Sequence, residues 1–324
     1  MGFIDIAGTV LVVLLLVTVL FVVMLRIVGR KGVGLTPEFK ATRVFDWQGS
    51  DETVRLELDQ FTRAPGEYGV WWDDRAGHAR LGDIVAIDGQ AKAVDRKFIE
   101  RSGSAPASRV EWTGQVFAKP DDLGLWWSEV EIEAALGPAP AWHFLGVGHD
   151  WVIHVHGIRV SRLSPLRGVP AFAELGYHSL VVSYRGDGDG PAAPGGASTL
   201  GLTEWLDVES AIDYALAHGA GRIFLMGWSM GGGIALLASE RAHNREALSG
   251  VVLVAPATNW REIILFGARS RRAGLARSCR HRWPRQHPLE QTPGRSQSNR
   301  LRDARLDEEP RSRQPPDPCH PLAR

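Results

Sequence analysis

Gly227-Trp228-Ser229-Met230-Gly231 lies between an apolar run at 222–226 and a small-residue stretch at 232–239. The run reads as a strand and the stretch as a helix, so the serine falls on a sharp strand-to-helix turn, the setting of a nucleophile elbow. Such a turn strains the serine backbone and pushes its hydroxyl out above the sheet. Gly227 and Gly231 flank it because a Cβ at either position would strike neighbouring backbone. The flanking elements carry the signal. Gly and Ser are each about 7% of ordinary chains, and the bare pentapeptide pattern recurs by chance.

Working outward, the chain after residue 128 alternates strands with helices, which predicts a mostly parallel sheet covered on both faces. A hairpin is expected at 129–134 and 141–145 around Gly137-Pro138, and a fully buried strand at 151–155 that runs into His156-Gly157. A helix follows at 165–175 and a strand at 179–184. The segment 203–217 is an amphipathic helix with Val208, Ala211, Ile212, Ala215 and Leu216 on one stripe, stopped by Gly219. A further strand is expected at 250–254. Upstream, 39–127 reads as a small β-rich region, with β segments at 53–58, 68–72, 84–87 and 109–117 separated by Gly66, Gly82, Gly89 and Gly103. It is rich in tryptophan (Trp47, Trp71, Trp72, Trp112, Trp126, Trp127). These rings suit core packing first, and a groove lining or a membrane headgroup contact second.

The 324 residues are 44% hydrophobic, enough for a real core. Residues 6–28 hold a single charge, Arg26, and a helix of that length would reach about 34 Å, enough to cross a bilayer core. Asp5 precedes the run while Arg26, Arg30 and Lys31 follow it, which favours an uncleaved anchor over a secretory signal. The positive-inside rule then places Met1 outside and the bulk of a single-pass membrane protein in the cytoplasm, with the lipid bilayer as a partner.

The formal net charge of zero conceals an acidic body and a basic end: the last 56 residues hold 14 Arg against 6 acids. Cys279 and Cys319 both lie in this end, so the body has neither a disulfide framework nor a thiolate metal site. Residues 268–324 contain no Val, Ile, Phe, Tyr or Met and read as an Arg/Pro-rich disordered tail. The change is abrupt after 260–266, and two readings stay open. One is a shifted reading frame in a GC-rich gene near residue 268. The other is a native basic tail for nucleic acid or anionic lipid, against which Asp307-Glu308-Glu309 interrupts the charge and Trp283 is the sole aromatic. No nucleic-acid partner is expected.

The strand at 151–155 running into His156-Gly157, the segment Val181-Val182-Ser183-Tyr184-Arg185-Gly186, the helix around Glu204-Trp205 and the elbow together resemble the α/β-hydrolase family, in particular its membrane-anchored members with an N-terminal β-rich extension. The resemblance covers roughly 128–267. It implies a transmembrane helix at 6–28, a β-rich region at 39–127, a partial α/β-hydrolase domain at 128–267 that lacks the C-terminal part of the fold, and the tail at 268–324.

In that family Ser229 is the nucleophile that forms an acyl-enzyme with an ester or amide carbonyl. The resemblance assigns the oxyanion-hole donors to the backbone N–H groups of Met230 and Ile158. His154 and His156 lie two apart on one apolar strand with no third ligand at a zinc spacing, so both read as core or loop-setting histidines. Asp187 and Asp189 sit in a turn-forming Gly-Asp-Gly-Asp-Gly and are not read as catalytic acids. No metal and no cofactor are expected. The family also requires an acid and then a histidine after the serine. Asp303 or Asp307 with His320 satisfies that order without a strand to hold them. The expectations are therefore a serine hydrolase of small-molecule esters or amides, impaired in this chain, or an inactive truncated relative that serves at most as a binding scaffold.

Overall fold

In a computed structural model the protein is described for residues 2–33, 40–49, 52–106, 108–266 and 269. The first element is α1 (Gly2–Val33), whose side chains are described from 8 to 24, all exposed. No helix among the described residues is long and apolar enough to cross a membrane. This overturns the expected transmembrane helix at 6–28, and with it the single-pass membrane placement with a cytoplasmic bulk.

The β-rich region is a closed six-stranded barrel. Its strands are β1 (Lys40–Gly49), β2 (Thr53–Glu57), β3 (Tyr68–Trp72), β4 (Gly77–Asp88), β5 (Ala93–Ser102) and β6 (Arg109–Thr113), in the order β1-β2-β5-β4-β3-β6. All pairings are antiparallel. Alternation along each strand turns Val54, Leu56, Val70, Trp72, Val94, Phe98, Val110 and Trp112 into one core. Trp72 is buried because its indole N–H finds the Ser104 carbonyl at 2.7 Å. Trp71, Trp72 and Trp112 are core residues, while Trp126 is 86% exposed.

Two strands, β1 and β5, were not expected from the sequence. In β5 the reason is Arg96, which is fully buried on the inward face between Val94 and Phe98 and so hides the alternation. Its guanidinium donates to the carbonyls of Gly82 (3.0 Å), Thr62 (3.0 Å) and Ala64 (2.9 Å), and it lies over the rings of Tyr68 and Trp112. It therefore pins the 59–66 turn to β4 while its donors are satisfied by carbonyl oxygens. In β1, register shifts between Val44 and Gly49 break the period that would have revealed a strand.

The second half is a six-stranded mixed sheet. It comprises β7 (Trp127–Ala134), β8 (Gly137–Phe144), β9 (Asp150–Val155), β10 (His178–Val182), β11 (Arg222–Trp228) and β12 (Leu248–Val254), in the order β12-β11-β9-β10-β8-β7. The four strands from β12 to β10 run parallel, and β8 and β7 form the expected antiparallel hairpin. One face is covered by α3 (Trp205–Ala217) and α4 (Met230–Arg241), where Val208, Ala211, Ile212, Ile234, Ala235 and Ala238 pack on Trp151, Ile153, Val155 and Leu225. The other face carries the short α2 (Val169–Glu174) and the connector after β6, through Val116, Phe117, Trp142, Phe144, Leu166 and Val181. That second cluster fixes the end of the barrel against the sheet. The architecture is a β-rich region followed by a partial α/β-hydrolase fold.

Candidate active site

Ser229 joins β11 to α4 with φ 53° and ψ −117°, a conformation that side chains seldom adopt. The strain is held by hydrogen bonds on both sides. The Ser229 N–H donates to Val254 O at 2.9 Å, and its carbonyl accepts from Ala257 N (2.8 Å) and Gly232 N (3.0 Å). The neighbouring glycines are required by contact. A Cβ on Gly227 would lie 2.6 Å from the Gly232 Cα, and one on Gly231 would lie 2.5 Å from the His156 carbonyl. Ser229 is exposed. Gly157 approaches it so closely that a Cβ there would lie 3.2 Å from Ser229 Cβ.

A cleft of about 610 Å³ opens beside this turn, lined among others by Met230, Ile158, Tyr184 and His156. Met230 is the first residue of α4, so its N–H has no intrahelical acceptor. The two residues assigned to the oxyanion hole thus share one cleft next to the serine.

The loop that carries Gly157 and Ile158 is fixed by a buried network. His156 Nδ1 lies 2.8 Å from Gly157 O and its Nε2 lies 2.9 Å from Asp187 Oδ2, with both side chains 1% exposed. The ring stacks on Tyr184, whose hydroxyl donates to Gly157 O at 2.8 Å. Burial alone would raise the Asp187 carboxyl. The hydrogen bond and charge of His156, with the N–H groups of Gly190 and Tyr184, outweigh it and hold the carboxyl below its ordinary value. Burial, followed by the charges of Asp187 and Glu204, pushes the Tyr184 phenol well above its ordinary range, so it stays a donor. Both partners of the His156 ring are acceptors, a carbonyl and a carboxylate. The ring has no free nitrogen with which to deprotonate Ser229, and it sets the loop.

Two further buried acids brace the site. Asp207 takes the Arg185 guanidinium at 2.7 and 2.8 Å and the Arg185 N–H at 2.8 Å, fastening the turn after β10 to α3. Those hydrogen bonds raise the Arg185 guanidinium further above its ordinary value. Glu204 accepts from Ser198 Oγ (2.6 Å), Thr199 N (2.8 Å) and Gly201 N (3.0 Å), shaping the loop behind Met230. His154 is fully buried, 3.2 Å from Ser179 Oγ and stacked on Trp228, and burial lowers it to about 3. It belongs to the core. No group of three or more His, Cys, Asp or Glu among the described residues is placed to hold a metal ion.

Three features escaped the sequence reading. The Asp187–His156 pair was discounted because Gly-Asp-Gly-Asp-Gly reads equally well as a turn, and it is a turn: Asp187 Oδ1 also accepts from Asp189 N and Gly190 N. Asp189 points away to Arg162 (3.4 Å). The barrel also contributes Arg75 and Gln115 to the cleft, which no local pattern announces. Asp303, Asp307 and His320 lie outside the described residues, as does the tail at 270–324. Among the described residues no histidine hydrogen-bonds the Ser229 hydroxyl.

A strained serine between a parallel strand and a helix, beside a braced His-Gly loop, defines an α/β-hydrolase. The chain belongs to the serine aminopeptidase, S33 family, whose model matches residues 149–316, more than half of its length. Its sheet and elbow are those of the α/β-hydrolase fold. The match continues past residue 268, so it gives no support to a family domain that stops there. Residues 43–113, nearly the whole barrel, match a domain of unknown function, DUF8805. No curated protein matches the chain. Among solved structures the chain is similar to an esterase of Pyrococcus furiosus, at 24% identity and TM-score 0.38, over 43% of this chain and 55% of that one. It is also similar to an esterase of Exiguobacterium antarcticum, at 26% identity and TM-score 0.34, over 40% of this chain and 46% of that one. A third is an α/β serine hydrolase without a lid from Xanthomonas campestris, at 17% identity and TM-score 0.34, over 40% and 61%. The chain spans about half the length of the esterases it matches.

Proposed function

We propose that the protein is a serine hydrolase that cleaves an ester or amide bond of a small molecule through an acyl-enzyme on Ser229. The observation that carries this reading is the backbone of Ser229: a non-glycine residue held at positive φ by Val254 and Ala257, with its side chain exposed beside the cleft. Attack of Ser229 Oγ on the carbonyl carbon would place the oxygen near Met230 and Ile158, whose N–H groups would stabilise its negative charge. Loss of one such donor costs about two to three orders of magnitude in rate. Collapse of the tetrahedral intermediate expels the alcohol or amine, and water then releases the acid and restores the hydroxyl.

The absence of a histidine on Ser229 among the described residues favours a second reading, in which the cleft binds a carbonyl compound and turns it over poorly. Removal of a triad member leaves only the modest acceleration of the oxyanion hole and binding. A fluorophosphonate probe and a 4-nitrophenyl ester series separate the two. Labelling that vanishes in Ser229→Ala, together with steady turnover, supports the hydrolase. Labelling that persists in Ser229→Ala refutes Ser229 as the nucleophile, and labelling without turnover selects the second reading.

A further inference from the structure

The carbonyl oxygen of Gly157 is held from two sides. His156 Nδ1 lies 2.8 Å from it, and the Tyr184 hydroxyl donates to it at 2.8 Å while also reaching His156 O at 3.1 Å. The two holds are not equivalent. His156 is the neighbouring residue and travels with the loop, whereas Tyr184 stands just past the end of β10, 27 residues further along the chain. Tyr184 is itself fixed at three points. Its N–H donates to Asp187 Oδ2 at 3.2 Å, its ring stacks on the His156 ring with centroids 4.2 Å apart, and its hydroxyl is committed to the loop. Burial keeps the phenol protonated, and so a donor.

A hydroxyl on Gly157 O orients more than that oxygen. The Gly157–Ile158 peptide is trans, so its N–H points opposite to its C=O. With Gly157 O turned toward Tyr184, the Ile158 N–H is turned away from it, and no acceptor among the described residues takes that N–H. The same peptide begins at the residue that meets the nucleophile: a Cβ on Gly157 would lie 3.2 Å from Ser229 Cβ and 3.8 Å from Ser229 Oγ. A backbone donor left without an acceptor, on a peptide pinned at its other end, suits an oxygen that carries charge only during reaction.

We infer that Tyr184 is a positioning residue for this chemistry: by holding Gly157 O, its hydroxyl aims the Ile158 N–H at the oxygen on which negative charge develops when Ser229 attacks. Such a donor strengthens its bond in the transition state, so Tyr184 governs the rate of bond formation and leaves the affinity for the unreacted ligand alone. The inference rests on Ser229 as the nucleophile and Ile158 as a donor. Its test does not require turnover.

The test is the reaction of the full chain with a fluorophosphonate, resolved into the dissociation constant of the first complex, Ki, and the limiting rate, kinact. In that reaction Ser229 Oγ bonds to phosphorus, the P–F bond breaks and hydrogen fluoride leaves, with the phosphoryl oxygen in the place of the carbonyl oxygen. Tyr184→Phe should lower kinact at least about ten-fold, a part of the roughly two to three orders of magnitude that loss of a whole donor costs. Its Ki should stay within about two-fold. Ile158→Pro removes the N–H itself, and adding Tyr184→Phe to it should cost less than about two-fold more, because the hydroxyl acts through the deleted N–H. 4-Aminophenylalanine at position 184, which returns an N–H donor to the same place, should restore most of kinact. Melting curves establish that each variant is folded; should Tyr184→Phe unfold, 4-fluorophenylalanine at position 184 fills the oxygen's place without donating and carries the same expectation. An unchanged kinact, a loss that falls on Ki, or an equal loss from Tyr184→Phe with and without Ile158→Pro overturns the inference. A wild-type chain that is not labelled at Ser229 overturns the nucleophile assignment, and the inference with it.

Discussion

Asp187 and His156 are hydrogen-bonded at 2.9 Å with both side chains 1% exposed, and this contact, 31 residues apart in the chain, fixes the loop that lies against the candidate nucleophile. A buried pair of this kind is weak as a source of net stability and severe when broken, because the surviving partner is left unpaired. Its role is the shape of the His156-Gly157-Ile158 turn.

Asp187→Asn should therefore lower stability by about 3 kcal/mol, the usual range for a buried pair that loses one member. Urea unfolding at pH 7 measures it. The Asp187 carboxyl is held below its ordinary value, so its contribution is present above the unfolded value of about 3.9 and is lost as pH falls through the folded value. The difference between the wild type and Asp187→Asn should shrink below about pH 4. A difference that stays constant from pH 7 to pH 3 would contradict the assignment.

Ser229→Gly should raise stability. A non-glycine residue at such a φ/ψ costs about 1–3 kcal/mol, whereas glycine adopts it freely at an entropic cost of about 0.5–1 kcal/mol. The expected gain is about 1 kcal/mol, a rise in melting temperature of a few degrees. Fluorophosphonate labelling should vanish in the same variant. An equal or lower melting temperature would show that the elbow is not strained.

Gly231→Ala should abolish soluble expression or cost several kcal/mol, since its Cβ would strike the His156 carbonyl at 2.5 Å and neither the strand end nor α4 has room to move. Gly89→Ala, where a Cβ meets nothing within 4 Å, is the control and should be within about 0.5 kcal/mol of wild type.

Three histidines are held neutral by burial: His78 and His143 lowered to about 4, and His154 to about 3. In the unfolded chain each takes a proton near pH 6.5. As pH falls from about 6.5 toward 4 the unfolded state binds the extra protons, so stability falls with pH by up to about 1.4 kcal/mol per unit for each histidine. Stability measured at pH 7, 6, 5 and 4.5 should decline steeply, and His154→Leu should flatten the slope by about one proton. An unchanged slope in that variant would refute the depressed value for His154.

The sheet was largely legible from the residues because its strands from β9 to β12 are continuous apolar runs, and the elbow glycines mark where β11 must turn. The hairpin of β7 and β8 was also expected, but its turn falls at Ala135-Leu136, and Gly137-Pro138, read as the turn, opens β8 and pairs with Ala134 and Glu133. The barrel was legible only in part. Arg96 occupies an inward position that alternation assigns to an apolar residue, and the bulged β1 has no steady period. Residues 6–28 show how an apolar run misleads, since length and hydrophobicity alone suggested a span that no helix among the described residues provides. At the site, the strand-to-helix turn at Ser229 was legible from local pattern, whereas Met230 and Ile158 entered through the family resemblance. Asp187 could not be placed, because one carboxylate serves both the turn and His156. Arg75 was out of reach, since it reaches the cleft only after six strands have closed into a barrel.

Among the described residues β12 is one of the two edge strands of the sheet, with Val252, Leu253 and Val254 each more than a third exposed. Its last carbonyl, Val254 O, and the Ala257 N–H just beyond it are two of the anchors that hold Ser229 in its strained turn. The reactive geometry thus depends on two backbone groups at and just beyond the end of β12. Loosening of these anchors should let the elbow relax to an ordinary conformation while the barrel and the strands from β11 to β8 are still intact. Inactivation would then be a local, reversible event that precedes melting, and its midpoint would follow the grip of the edge strand rather than the size of the core.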